Sequence, residues 1–223
     1  MIPNNVDLFN VGGHNVARSE HVQFLGVIVD EHLSWKPHLE GVCTKVSRGV
    51  GVICRLRFIL PEKVLTTLYN SIVLPYLTYC ILAWGNTFKT YIDKLKVLQK
   101  KVIRLVTNSS FRHPSKPLFL QLKLLPFDEL VSFNCLFFMF KLQFCPQLCL
   151  LKDLFAVNSQ IHNYNTRQRN LIHQPYIRTN VALNSFRITC IKEWNQLPVD
   201  IKDSTTLSRF KVLCKAYLFQ RLN

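Results

Sequence analysis

Leu39, Val42, Val46, Val50, Ile53 and Leu56 recur at intervals of three or four, which places them on one face of an α-helix beginning near Pro37. Upstream the pattern differs. Residues 6–11 end at Gly12-Gly13, a turn signal, and residues 22–29 are rich in β-branched and apolar types, so both read as strands. The second is apolar on both faces, which suits a strand buried within a larger sheet; Asp30-Glu31-His32 ends it. Downstream, Pro61-Glu62 opens a helix in the way proline at a first turn allows, and Pro75 ends or kinks it. A further helix is predicted from about Thr90 to Val106, and residues 112–117 read as a loop. Pro126-Phe127-Asp128-Glu129 starts a long apolar helix reaching Phe144, with its acids at the positive end of the helix. Residues 157–180 are polar and aperiodic, hence a linker or long loop. Two more helices follow, one containing Trp194 and one starting after Ser204 as N-cap. The expected fold is α+β and predominantly α-helical, with a short N-terminal β segment.

The 223 residues are 48% hydrophobic, which is ample for a packed core and excludes wholesale disorder. Against 13 Asp+Glu stand 28 Lys+Arg, a formal charge of +15, so a polyanion is the expected partner class. The helix at residues 89–106 sharpens this. At about 100° per residue, Tyr91, Ile92, Leu95, Leu98, Val102, Ile103, Leu105 and Val106 gather on one arc. Lys89, Lys94, Lys96, Lys100, Lys101 and Arg104 fill the opposite one with a single acid, Asp93. Only Val97 and Gln99 fall on the wrong side. Such a helix could dock by its apolar face and present six cations to phosphates; the plainer alternative is a solvated surface. The excess continues elsewhere: residues 154–192 hold Arg167, Arg169, Arg178, Arg187 and Lys192 and no acid.

Catalytic signals are absent. Metal-dependent nucleotidyl transfer needs converging carboxylates, and the adjacent acids, Asp30-Glu31 and Asp128-Glu129, lie at a strand end and a helix start. No phosphate loop, dinucleotide fingerprint or nucleophile elbow occurs. Cys145 and Cys149 could form half a zinc site with His162 and His173, but the histidine spacing is too wide for a finger, so no metal is expected. Most of the eight cysteines, Cys54 and Cys80 among them, sit in apolar runs as buried thiols do. With no signal peptide at the start, an intracellular place, nuclear or cytoplasmic rather than secreted, is expected. Residues 64–88 carry no charge, yet Thr66, Thr67, Asn70, Ser71, Thr78, Asn86 and Pro75 among them make them poor membrane material, so no membrane is expected as partner. Trp35 and Trp194 have apolar neighbours and read as core anchors.

Four stretches together resemble the C-terminal part of a non-LTR (LINE-type, Jockey-like) retrotransposon reverse transcriptase. They are Phe24-Leu25-Gly26-Val27-Ile28-Val29-Asp30 with Leu33-Ser34-Trp35 and Pro37-His38; Leu68-Tyr69-Asn70-Ser71 with Leu74-Pro75-Tyr76-Leu77, Tyr79 and Trp84-Gly85; Leu98-Gln99-Lys100-Lys101 with Arg104; and His162-Asn163-Tyr164-Asn165-Thr166-Arg167 with Trp194-Asn195-Gln196-Leu197-Pro198 and Phe210-Lys211. Their order suits the family over residues 6–220. The resemblance implies the last palm strands and primer grip in 1–35, with Phe24, Leu25 and Gly26 as a primer-supporting strand. It implies a thumb-like helical region in 36–152, a basic linker in 153–180 and a C-terminal helical region in 181–223. The family's Tyr/Phe-Ala-Asp-Asp motif does not occur here. The implied role is therefore non-catalytic: a template–primer-gripping fragment that holds an RNA–DNA hybrid or duplex backbone. No cofactor would be bound by this chain, and the Mg2+ of the full-length polymerase would belong to a missing upstream region. Two alternatives stay open, a stand-alone nucleic-acid-binding or scaffold protein derived from such an element and a basic membrane-associated protein.

Overall fold

The computed structural model describes residues 9–16, 18–145, 148–161, 163–164 and 166–222. Two antiparallel hairpins open the chain. In the first, β1 (Phe9–Val11) pairs with β2 (His14–Val16) across Gly12-Gly13; in the second, β3 (His21–Phe24) pairs with β4 (Val27–Asp30). The expected single strand at residues 22–29 is thus a hairpin. Leu25 and Gly26 have φ of 47° and 80°, and two successive left-handed residues reverse the chain with the twist a tight hairpin needs. Among the described residues this hairpin has no further strand beside it. β3 is exposed throughout, whereas Val27 and Asp30 of β4 are buried on the helix that follows.

That helix, α1 (Lys36–Leu56), buries the predicted face: Leu39, Val42, Val46, Val50 and Ile53 are all in the core. Asp30 sets its start. The Asp30 carboxylate accepts from the backbone N–H of Ser34 (3.0 Å) and Trp35 (2.8 Å), which holds Leu33 and Trp35 in left-handed conformations ahead of the first turn. Burial pulls the Asp30 pKa up, but these hydrogen bonds outweigh it and hold the carboxyl below its ordinary value.

Next come α2 (Glu62–Ile72), α3 (Leu74–Thr78) and α4 (Ile81–Trp84). The uncharged stretch is therefore three helices. The first break falls at Val73, with Pro75 in the opening turn of α3. No helix among the described residues is long and apolar enough to cross a membrane. Helix α5 (Lys89–Val106) packs along α1 and also meets α2, and α6 (Ser115–Gln121) follows. The expected loop at 112–117 is thus helical from Ser115 onward; its proline sits in the first turn, where no N–H is needed.

Helix α7 (Phe127–Phe144) is the central element. Trp84 of α4 stacks on Phe127 at 5.9 Å, and Gly85 lets the backbone approach, since a Cβ there would lie 2.5 Å from the Ile81 carbonyl oxygen and 3.0 Å from Val131. Beyond α7 lie the short helices α8 (Cys149–Lys152), α9 (Asn158–Ile161) and α10 (Asn180–Leu183), then α11 (Phe186–Gln196), α12 (Val199–Lys202) and α13 (Leu207–Gln220). Helices α11 and α13 pack on α7, so one hydrophobic cluster runs from Leu39 to Leu218. Within the polar stretch at 157–180, Val157 bridges Ile172, and Asn195 of α11 brackets Ile172 by bonding both its N–H and its carbonyl. The last helix is capped by Thr206, which accepts from the Arg209 N–H; Ser204, the expected cap, is buried and donates back to the Ile201 carbonyl. Trp35 is half-buried against the core and Trp194 is buried.

Among the described cysteines none is in a disulfide. Cys135, Cys190 and Cys214 are buried as expected, but Cys54 and Cys80 are exposed. Burial pushes the Cys214 thiol up to about 12, and a hydrogen bond with Cys135 plus burial raises that of Cys190.

Candidate nucleic-acid interface

Helix α5 carries the six predicted cations, and the structure divides them. Lys89, Lys94, Lys100 and Lys101 are exposed along its outer face around Val97, which is 62% exposed. Lys96 is half-buried and ion-paired: its Nζ lies 2.7 Å from Asp128 at the start of α7 and 4.0 Å from Asp93. Arg104 is also engaged, donating from Nε to the His113 carbonyl at 2.9 Å with its guanidinium over the Phe111 ring. Among the described residues, therefore, four cations without an ion-pair partner form the face, and two brace it.

The residue apparently out of place on the apolar arc, Gln99, fixes the docked side. It is 1% exposed and donates from Nε2 to the Tyr69 hydroxyl (2.9 Å) and the Leu125 carbonyl (3.1 Å). Burial pushes the Tyr69 phenol up to about 12, even though the Gln99 bond lowers it. On the flank facing α1, Lys94 sits near enough to Cys43 to oppose the rise that burial imposes on that thiol.

A second cluster forms at the tip of the β3–β4 hairpin. Phe24 ends β3, and Leu25-Gly26 make the turn rather than a strand. Phe24 is 66% and Leu25 73% exposed. The Tyr79 hydroxyl donates to the Leu25 carbonyl at 2.6 Å and ties the tip to α3. Between them lies a cavity of about 260 Å3 lined by Leu25, Gly26, His38, Lys45, Tyr76 and Tyr79. His38 Nδ1 accepts from the Ile28 N–H at 3.4 Å, while Nε2 is buried without a hydrogen-bond partner. Burial and the Lys45 charge both lower the His38 pKa, so the ring is neutral at physiological pH. Sequence reading missed Lys45; its place at i+3 to Val42, on the flank of the α1 apolar stripe, was the available signal. Helix α1 packs on β4 with one part and on α5 with another, and so joins the two clusters.

The candidate acids have structural partners. Asp30 caps the turn into α1, Glu31 pairs with Arg18, and Asp128 takes Lys96. Glu129 is raised by burial, partly offset by Arg221, and its Oε2 is buried without a hydrogen bond. Among the described residues no three His, Cys, Asp or Glu side chains converge as the ligands of a metal ion would. The half-site reading with His162 and Cys149 lies partly outside the described residues.

Over about half its length the chain is similar to RNA-directed DNA polymerases of non-LTR mobile elements. One is the RNA-directed DNA polymerase from mobile element jockey of Drosophila funebris, 27% identical over 104 residues, which cover 44% of this chain and 11% of the relative. Another, described as a probable RNA-directed DNA polymerase from transposon X-element of Drosophila melanogaster, is 27% identical over 121 residues, 52% of this chain and 13% of the relative. The jockey polymerase of Drosophila melanogaster matches at 27% over 105 residues. The matched chain thus spans little more than a tenth of the length of these relatives. No family model and no solved structure matches.

The stretches carrying the resemblance meet in the fold. Tyr79 reaches Leu25, the His38 ring lies 5.6 Å from that of Trp84, and Tyr69 meets Gln99. Trp194, Asn195 and Phe210 belong to the α11–α13 layer. His162 and Asn165 lie outside the described residues.

Proposed function

We propose that this chain is the template–primer-binding part of a retrotransposon RNA-directed DNA polymerase and performs no chemical step itself. Its partner would be the backbone of an RNA–DNA hybrid or DNA duplex, and catalytic carboxylates and Mg2+ would come from residues outside this chain. The observation that carries the reading is the outer face of α5. Its apolar side is docked on α1, α2 and α6, and Lys89, Lys94, Lys100 and Lys101 stand on its outer face without a carboxylate partner among the described residues. Phosphate contacts of this kind position a duplex without reading its sequence. The exposed Phe24-Leu25-Gly26 tip, tied to α3 and linked to α5 through α1, is placed in this reading against the primer end. The similarity to RNA-directed DNA polymerases supports the choice of ligand.

The test is fluorescence anisotropy with an RNA–DNA hybrid over a salt series. Four neutralised phosphates give a log–log slope of roughly −4. Lys100→Glu with Lys101→Glu should flatten that slope by about two and weaken hybrid and DNA duplex alike. An unchanged slope would make α5 a solvated face only.

A further inference from the structure

A second basic surface, lined by none of the α5 lysines, lies where residues of α2, α3, α7 and α13 come together. A cavity of about 430 Å3 opens there, lined by Lys123, Lys215, Phe133, Asn70, Asn134 and Thr66 among others, with no carboxylate in its wall. Phe133 stacks nearly parallel on Phe137 one helical turn along α7, at 6.1 Å and 6° between planes, and both rings are half-buried. Lysines from two helices stand over these rings: Lys215 over Phe133 at 5.7 Å, and Lys141 and Lys211 over Phe137 at 4.6 and 4.8 Å. Lys123, Lys141, Lys211 and Lys215 have no ion-pair partner among the described residues.

Lys123 itself is in an unusual place. It follows α6 with φ of 53°, its N–H donating to the Leu120 carbonyl and the Leu124 N–H to that of Phe119. This is the helix-ending position that glycine favours, because a Cβ there is strained. Lysine is strained at that position where glycine would not be, and Lys123 lines the cavity.

We propose that this groove is a second nucleic-acid site, one that takes unpaired single strand. Phosphates would lie on Lys123 and Lys215, a base against Phe133, and the next nucleotides along Phe137 with Lys141 and Lys211. Cations that follow the backbone, interleaved with partly exposed rings, are what sequence-tolerant binding of single strands requires. A rod-like duplex offers no free base face to such rings, so the groove discriminates against the ligand assigned to α5. The inference goes beyond the duplex reading and does not depend on it.

The experiment compares a short fluorescein-labelled oligo(dT) with a blunt RNA–DNA hybrid. Lys123→Gly with Lys215→Gln should weaken oligo(dT) binding roughly tenfold and flatten its salt slope by about 1.4, two phosphates at the single-strand increment. Hybrid binding should stay as in the parent. Phe133→Leu should lower oligo(dT) affinity roughly fivefold with no change in slope, because stacking rather than charge is lost. The melting temperature of the Lys123→Gly protein should hold or rise, since the glycine relieves backbone strain, which separates lost binding from lost fold. Lys100→Glu with Lys101→Glu should spare oligo(dT) binding. Unchanged oligo(dT) binding in the Lys123–Lys215 variant overturns the proposal. So does an equal loss of both ligands, which would mean one shared surface, and so does displacement of oligo(dT) by thymidine monophosphate at matched phosphate concentration, which would mean an anion pocket with no strand path.

Discussion

Helices α5 and α7 have 18 residues each and opposite designs. In α5 the sides are segregated: Ile92, Leu95, Val102, Ile103 and Val106 are buried, and lysines fill the outer face. In α7 the charges are confined to the ends, Asp128 and Glu129 in the first turn and Lys141 near the last, with six phenylalanines between and around them. Trp84 stacks on the start of α7, Phe186 of α11 meets Phe138 edge-on at 5.0 Å, and Phe210 of α13 stacks on Phe140 at 4.1 Å. A helix hydrophobic nearly all round is covered on most sides, whereas a striped one sits at a surface. So α7 holds the two helical layers together with only rings such as Phe133 and Phe137 left half-buried, and α5 turns a whole charged face outward.

The sharpest way to test that contrast is Phe140→Ala. The ring is 2% exposed and touches both Phe144 and Phe210, so its removal leaves a cavity at the joint with α13. A loss of about 3–5 kcal/mol is expected, read from urea unfolding. The transition should remain single, because α7 belongs to one continuous cluster. Two separate transitions would show that the layers on either side of α7 unfold independently.

Next in size is Gln99→Leu, which probes the docked side of α5. It leaves the Tyr69 hydroxyl and the Leu125 carbonyl without their donor in a buried place. A cost of about 1–3 kcal/mol follows from the unsatisfied groups. Adding Tyr69→Phe should recover part of it, since one orphaned group is removed. Hybrid binding should be unaffected where the protein is folded. If binding falls with stability intact, Gln99 does more than seat the helix.

These elements were unequally legible in the sequence. Helices α1, α5 and α7 followed from the spacing of apolar residues, because burial of one face or of all faces leaves a periodic record. The hairpin at Leu25-Gly26 left none: its first turn residue is a leucine, held in a left-handed conformation by its setting and not by its type. Helix α6 was hidden by Pro117, which reads as a breaker and serves as a first-turn residue. Thr206 and Ser204 are both hydroxyls, and only the fold decides which faces a free N–H. In the candidate interface the six cations of α5 were legible as a face, but not their division, because Asp128 reaches Lys96 from distant sequence and the His113 carbonyl meets Arg104 only through the fold of the loop after α5. The groove at Lys123 had no local signature, since its lysines and rings come from three separate segments.

The ion pair between Lys96 of α5 and Asp128 of α7 is the direct contact between the two designs. It is short, 2.7 Å, but Asp128 is 68% and Lys96 23% exposed at the side chain, so solvent screens much of the attraction. A double-mutant cycle of Lys96→Gln and Asp128→Asn should give a coupling of about 0.2–1 kcal/mol, the range of partly exposed pairs, shrinking as salt is raised. Because Lys96 is turned toward α7, Lys96→Gln should leave the salt slope of hybrid binding close to that of the parent. Lys100→Gln, on the open face, should flatten it by about one phosphate's worth, roughly 0.9. Should Lys96→Gln flatten the slope as much as Lys100→Gln does, the pair opens when nucleic acid binds and Asp128 is a competitor for that lysine. The four-cation face would then be a five-cation face, and α7 would contribute to the interface through the acid it releases.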